Sequence, residues 1–74
     1  MNPEILSEKW NMISSEVRKT WDRFTDNDVE EIQGNYDILI SKLQEKYGYT
    51  SQEASQEVNR FLEMIGKQAE NFRL

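Results

Sequence analysis

Cysteine and histidine are both absent from the 74 residues. Without thiolate or imidazole, no disulfide can staple the chain, and the usual ligands of zinc, haem and iron–sulfur clusters are missing. Cysteine and histidine nucleophiles, and histidine general bases, are excluded with them. Proline occurs once and glycine three times, so turns are few and helix interiors meet few breakers. Positive charge is in deficit, nine Lys and Arg against fourteen Asp and Glu for a net charge of −5, a poor balance for tracking phosphates. No run approaches the roughly 18 apolar residues of a membrane span. The start, Met1-Asn2-Pro3-Glu4, has neither the basic nor the apolar region of a secretion signal. These absences predict a cytoplasmic chain with no membrane partner and no cofactor.

Apolar residues are scarce too, at 36%, and the mean hydropathy is −0.87. That points to a thin core in a chain whose size allows folding to bury only about 60% of its surface. Two Trp, three Tyr and three Phe argue against disorder, because each ring brings a large apolar area.

The charge is unevenly spread. Asp26, Asp28, Glu30, Glu31 and Asp37 fall between Phe24 and Ser41 with no Lys or Arg among them, and the other nine acids match the nine bases.

Apolar positions follow helical spacing throughout. Leu6, Trp10, Ile13, Val17, Trp21 and Phe24 form one stripe, which predicts a first helix over about residues 3–23, with Asn2 as cap and Pro3 in the first turn. Thr25-Asp26-Asn27-Asp28 reads as a capping box with Asp in place of the usual Glu or Gln, opening a short second helix over about 26–33 that Gly34 ends or bends. Tyr36, Leu39, Ile40, Leu43 and Tyr47 predict a third helix over about 35–47, closed by a left-handed Gly48. Thr50-Ser51-Gln52-Glu53 is a full capping box, with Tyr49 placed to staple onto Ala54. It opens a fourth helix carrying Val58, Phe61, Leu62, Ile65, Ala69 and Phe72 to residue 70 or so, with a fraying tail. No strand pattern, repeat or linker appears. The expected fold is all-α, a small four-helix bundle of two packed hairpins, with its core on Trp10, Ile13, Val17, Trp21, Phe24, Ile32, Leu39, Leu43, Val58 and Phe61.

With these elements placed, the chain resembles the CsbD-like family of small bacterial general stress-response proteins. The resemblance rests on Trp10, Val17 and Trp21, on Phe24-Thr25-Asp26-Asn27-Asp28-Val29, and on Gly34-Asn35-Tyr36-Asp37-Ile38-Leu39. It continues through Leu43-Gln44-Glu45-Lys46-Tyr47-Gly48 and Glu57-Val58-Asn59-Arg60-Phe61. It covers about residues 1–61 of what is expected to be one domain over 1–74, with 62–74 extending the last helix and tail. The family often has glycine where this chain has Ser15, Asp22 and Ser41, and just before Trp10, so the first and third helices should be stiffer here. The resemblance implies a compact four-helix fold, induction under stress and a cytoplasmic setting, and it implies no catalytic residues.

Other readings of the residues are weaker. A calcium loop counted from Asp26 needs glycine at its sixth position and glutamate at its twelfth, where this chain has Glu31 and Asp37. The acids are better read as favouring a helix N-terminus. Asp37 is placed to cap its own turn or to pair with Arg18. Trp10 and Trp21 share a helix face with Ile13 and Val17, which favours core filling over base stacking. Arg18, Lys19, Arg23, Lys42 and Lys46 are too few against the acidic segment for a phosphate-tracking surface, and the last helix carries Glu53, Glu57, Glu63 and Glu70 against Arg60 and Lys67. No nucleophile motif or phosphate loop occurs. The leading expectation is a non-enzymatic stress-response protein acting through protein contacts, with Asp26, Asp28, Glu30, Glu31 and Asp37 as the interaction surface. The alternatives are a small regulatory module that binds nucleic acid or a nucleotide-loaded protein, and self-association through Leu62, Ile65 and Phe72 on the last helix, giving a monomer or a weak homo-oligomer.

Overall fold

The computed structural model describes the backbone of residues 4–71 and the side chains of residues 6–66. Helices run over Glu4–Glu8 (α1), Trp10–Thr20 (α2), Asp26–Ile32 (α3), Tyr36–Tyr47 (α4) and Ser51–Asn71 (α5). No strand occurs among the described residues, which are all-α, with five helices where the spacing predicted four.

The extra helix comes from a break in the predicted first one. Lys9 adopts φ −117° and ψ 27° and offers no side-chain cap, and its carbonyl accepts from both Met12 N–H at 3.0 Å and Ile13 N–H at 2.9 Å. No proline or glycine marks the spot. The bend redirects α1 so that Leu6 is fully buried and the Ser7 backbone lies against Gly34, where an added Cβ would come within 2.6 Å of Ser7 Cα. At Lys9, just before Trp10, the first helix predicted as continuous is therefore interrupted. α2 also ends at Thr20 rather than residue 23, placing Asp22 in a turn. Trp21 N–H closes α2 on the Val17 carbonyl at 2.9 Å, and Phe24 N–H bonds the Trp21 carbonyl at 3.1 Å. That turn points both rings inward.

The remaining ends follow local chemistry. Thr25 Oγ1 accepts from Asp28 N–H at 3.1 Å while the Asp28 carboxylate accepts from Thr25 N–H at 3.0 Å. Thr50 and Glu53 repeat that box at 3.1 and 2.9 Å. Asn35 caps α4 by accepting from Ile38 N–H. α3 ends in two successive left-handed residues, Gln33 at φ 46° and Gly34 at φ 77°, and α4 ends on Gly48 at φ 70°. Tyr49 is half-buried and stacks on Tyr47, with centroids 5.6 Å apart and planes 10° apart. The proposed roles of Asn2 and Pro3, the side chains of Ala69 and Phe72, and the tail lie outside the described residues.

Each helix packs against the next in chain order, with α4 on α5 the most extensive pairing. One connected core results. It takes Leu6 from α1, Ile13 and Val17 from α2, Trp21 and Phe24 from the turn, and Val29 and Ile32 from α3. α4 adds Leu39 and Leu43, and α5 adds Ala54, Val58, Phe61, Leu62 and Ile65. Trp10 is the one expected core residue that is only half-buried, packing against the edge of this cluster. Burial of each large apolar side chain contributes about 1.5–3 kcal/mol, and the Trp21 and Phe61 rings, 4.9 Å apart, join the α2–α3 turn to α5.

Candidate interaction surface

The five acids of the 26–37 segment have separate fates in the fold. Asp26 is almost fully exposed and pairs with Arg18 of α2. Arg18 is thereby committed to Asp26 and not to Asp37, as the alternative sequence reading had it. Asp28 is buried. Besides capping α3, its carboxylate takes Lys42 Nζ at 3.1 Å on one oxygen and Lys46 Nζ at 3.3 Å on the other. Lys42 also contacts Glu31. Glu30 and Asp37 are exposed and make no ion pair among the described residues. The stretch lacking bases in sequence thus receives three in space, one from α2 and two from α4.

The Thr25 N–H, followed by the Lys42 and Lys46 ammonium groups, holds the Asp28 carboxyl far below its ordinary value of 3.8, with burial opposing. Lys42 moves the other way. Its hydrogen bond to Glu31, then that to Asp28, raises it above 10.5. These shifts belong to a helix cap and an ion network that hold α3 on α4.

The basic side chains do not form a stripe. Lys19 pairs with Glu16 at 3.6 Å. Arg23 lies over the Tyr47 ring, 5.2 Å from its centroid, and its guanidinium donates to the Lys46 carbonyl at 3.2 Å. With Arg18, Lys42 and Lys46 on carboxylates, all five bases of the supposed cluster are engaged. Trp21 is buried between Phe24 and Phe61, so its ring offers no face for stacking, while Trp10 is half-buried against the edge of the core. Leu62 and Ile65, expected as surplus apolar area on the last helix, are in the core, and Phe72 is outside the described residues. Among the described residues no three acidic, Cys or His side chains converge as a metal cage, and no helix is long and apolar enough to cross a membrane.

Two shallow grooves escaped the sequence reading. One, of about 330 Å³, is lined by Thr20, Trp21, Glu57, Arg60, Phe61 and Met64. The other, of about 570 Å³, is lined by Ser14, Ser15, Arg18, Lys19, Asp26, Val29 and Glu30. Both join residues from elements that touch only in the folded chain, so periodicity along the sequence carries no signal for them.

No protein-family model matches the chain, and no solved structure does. Individual proteins are similar over most of its length. UPF0337 protein PA4738 of Pseudomonas aeruginosa is 32% identical over 65 residues, 88% of this chain and 100% of that protein. UPF0337 protein Bd3330 of Bdellovibrio bacteriovorus is 37% identical over 67 residues, 90% of this chain and 72% of that one. UPF0337 protein YjbJ of Escherichia coli is 36% identical over 59 residues, 80% of this chain and 86% of that one. None of these names carries an activity. Identity at this level across most of both chains makes this protein a member of the UPF0337 family, which is the CsbD-like family.

Proposed function

We propose that this chain is a non-enzymatic protein of the bacterial general stress response that works in the cytoplasm through protein contacts made by the acidic face of α3 and the start of α4. Membership of the CsbD-like family supports the stress setting. The observation that carries the contact surface is the state of Glu30 and Asp37, which stay in solvent without a cation among the described residues while Asp26, Asp28 and Glu31 are engaged. Asp28 sets the position of this face from beneath. The non-enzymatic reading is supported by the use to which the shifted carboxylate is put, a helix cap and two ammonium groups. A single domain over 1–74 is supported by the sharing of one core between Leu62 and Ile65 of the C-terminal extension and Val58 and Phe61 before it. The bundle is read as two hairpins, α2 with α3 and α4 with α5.

The experiment compares wild type with Glu30→Gln/Asp37→Asn as bait in extracts of heat-, salt- or ethanol-challenged cells. The double variant should keep its helical signal and recover less of at least one partner. Equal recovery of every partner removes the surface, and an abundance unaffected by any of the challenges removes the stress role.

A further inference from the structure

Sulfur enters this chain only as methionine, three Met and no Cys. Methionine is apolar and ordinarily fills gaps in cores. Among the described residues no core residue is Met, and the two methionines with described side chains, Met12 and Met64, are 52% and 41% exposed. Met64 lies on α5 at the rim of the groove floored by Trp21 and Phe61, beside Glu57 and Arg60. Both rings are 3% exposed and their centroids lie 4.9 Å apart.

We propose that Met64 is a reversible oxidation site for hydroperoxides, and that its oxidation changes the Trp21–Phe61 groove from apolar to polar. With hydrogen peroxide, a sulfur lone pair attacks one peroxide oxygen. The S–O bond forms, the O–O bond breaks, and the departing hydroxide leaves as water after a proton moves to it from the transferred oxygen. Sulfur gives up two electrons and the peroxide takes them. Methionine sulfoxide reductases return the thioether at the expense of two thiols.

Reversal requires that the fold survive the oxidised state. Oxidation of a core methionine makes it polar and disrupts packing, but on α5 the packing is carried by Leu62 and Ile65, 0% and 3% exposed, on either side of Met64. The sulfoxide would therefore face water and the groove, not the core. Because the chain has no Cys, no thiol of its own competes for the oxidant. The more exposed Met12, on the α2 surface, serves as an internal reference.

Trypsin cleavage after Lys9, Arg18, Arg60 and Lys67 leaves the three methionines on separate peptides, 1–9, 10–18 and 61–67. Wild-type full-length protein treated with hydrogen peroxide should gain one oxygen on peptide 61–67 at a rate within about tenfold of peptide 10–18, with its helical circular dichroism unchanged. In Trp10→Phe protein, Trp21 is the sole indole, and its emission should shift in step with that oxygen and return after treatment with both reductases. Adding Met64→Leu should abolish the shift, whereas adding Met12→Leu should leave it. Peptide 61–67 staying reduced while 10–18 oxidises would overturn the proposal. So would loss of helical signal on oxidation, or an emission shift that persists with Met64→Leu.

Discussion

Asp28→Ala is the substitution that most directly tests how α3 is held on α4. Asp28 lies in the first turn of α3 and is 5% exposed, so its carboxylate serves several groups at once. Removing it takes the acceptor from Thr25 N–H, and loss of one such hydrogen bond costs about 1 kcal/mol, within a range of roughly 0.5–1.5. Lys42 and Lys46 lose an ion partner as well. Orphaning a buried charge costs about 3–5 kcal/mol. Here the loss is smaller, because Lys42 keeps Glu31 and the Lys46 side chain is 31% exposed; about 1–2 kcal/mol is the corresponding figure. Together the losses come to about 2–3 kcal/mol, which in a domain of this size lowers Tm by about 10–20 °C. Asp28→Asn keeps an oxygen for Thr25 N–H and should lose only the ionic part, about 1–2 kcal/mol. Thermal unfolding followed by circular dichroism, completed as a double-mutant cycle with Lys42→Met, separates the two parts. Asp28→Ala within about 0.5 kcal/mol of wild type, the range of an ordinary surface change, would refute the reasoning.

Other expectations follow from the same structure. Asp28 has its folded value depressed below 3.8, so its contribution is fully present above the unfolded value, about 4, and is lost as pH falls from there towards the folded value. The Tm gap between wild type and Asp28→Asn should therefore shrink between pH 7 and pH ~2.5, and a constant gap would contradict the assignment. Lys42 is raised above 10.5, so its contribution is present below that pH and lost as pH rises through the folded value, which alkaline melts of Lys42→Met against wild type will register. Gly34 and Gly48 share a left-handed backbone but not a setting, since a Cβ on Gly34 meets Ser7 Cα at 2.6 Å whereas one on Gly48 meets nothing within 4 Å. Gly48→Ala should cost about 1–2 kcal/mol for conformation alone, and Gly34→Ala about 2–4 kcal/mol because α1 must also shift; equal costs by urea unfolding would show that α1 does not press on Gly34.

What could be read from the sequence, and what could not, divides by the range of the cause. Both capping boxes were legible because each is made by residues three apart, Thr25 with Asp28 and Thr50 with Glu53, and so was the left-handed Gly48. Most of the core followed from 3–4 spacing, which reports the face a helix buries whatever covers it. The break at Lys9 was not legible, because no proline or glycine marks it and the contact that accompanies it, Ser7 against Gly34, joins residues far apart in sequence. Trp10 sits on the correct stripe, but the bend beside it moves that position to the core's edge. At the candidate surface, the sequence displayed five acids without bases. Their partners come from Arg18, Lys42 and Lys46, and only the fold brings those helices alongside.

The folded distribution of charge makes a distinction that the total of −5 cannot. A chain that attracts partners by net charge alone should respond equally to the loss of any two exposed acids. A contact surface should not, because screening at physiological salt acts over about 8 Å, well inside the 39 × 24 × 20 Å extents of this molecule. Glu45 and Glu63 are exposed acids on α4 and α5 outside the 26–37 segment. Glu45→Gln/Glu63→Gln therefore makes the same change in net charge as Glu30→Gln/Asp37→Asn at a different place. If the face of α3 and early α4 is the contact, the second pair should weaken partner recovery several-fold more than the first, and the gap should persist as salt is raised. Equal losses from both pairs that vanish together in high salt would mean that partners sense the whole field of the molecule. In that case Glu30 and Asp37 would be ordinary members of its surface.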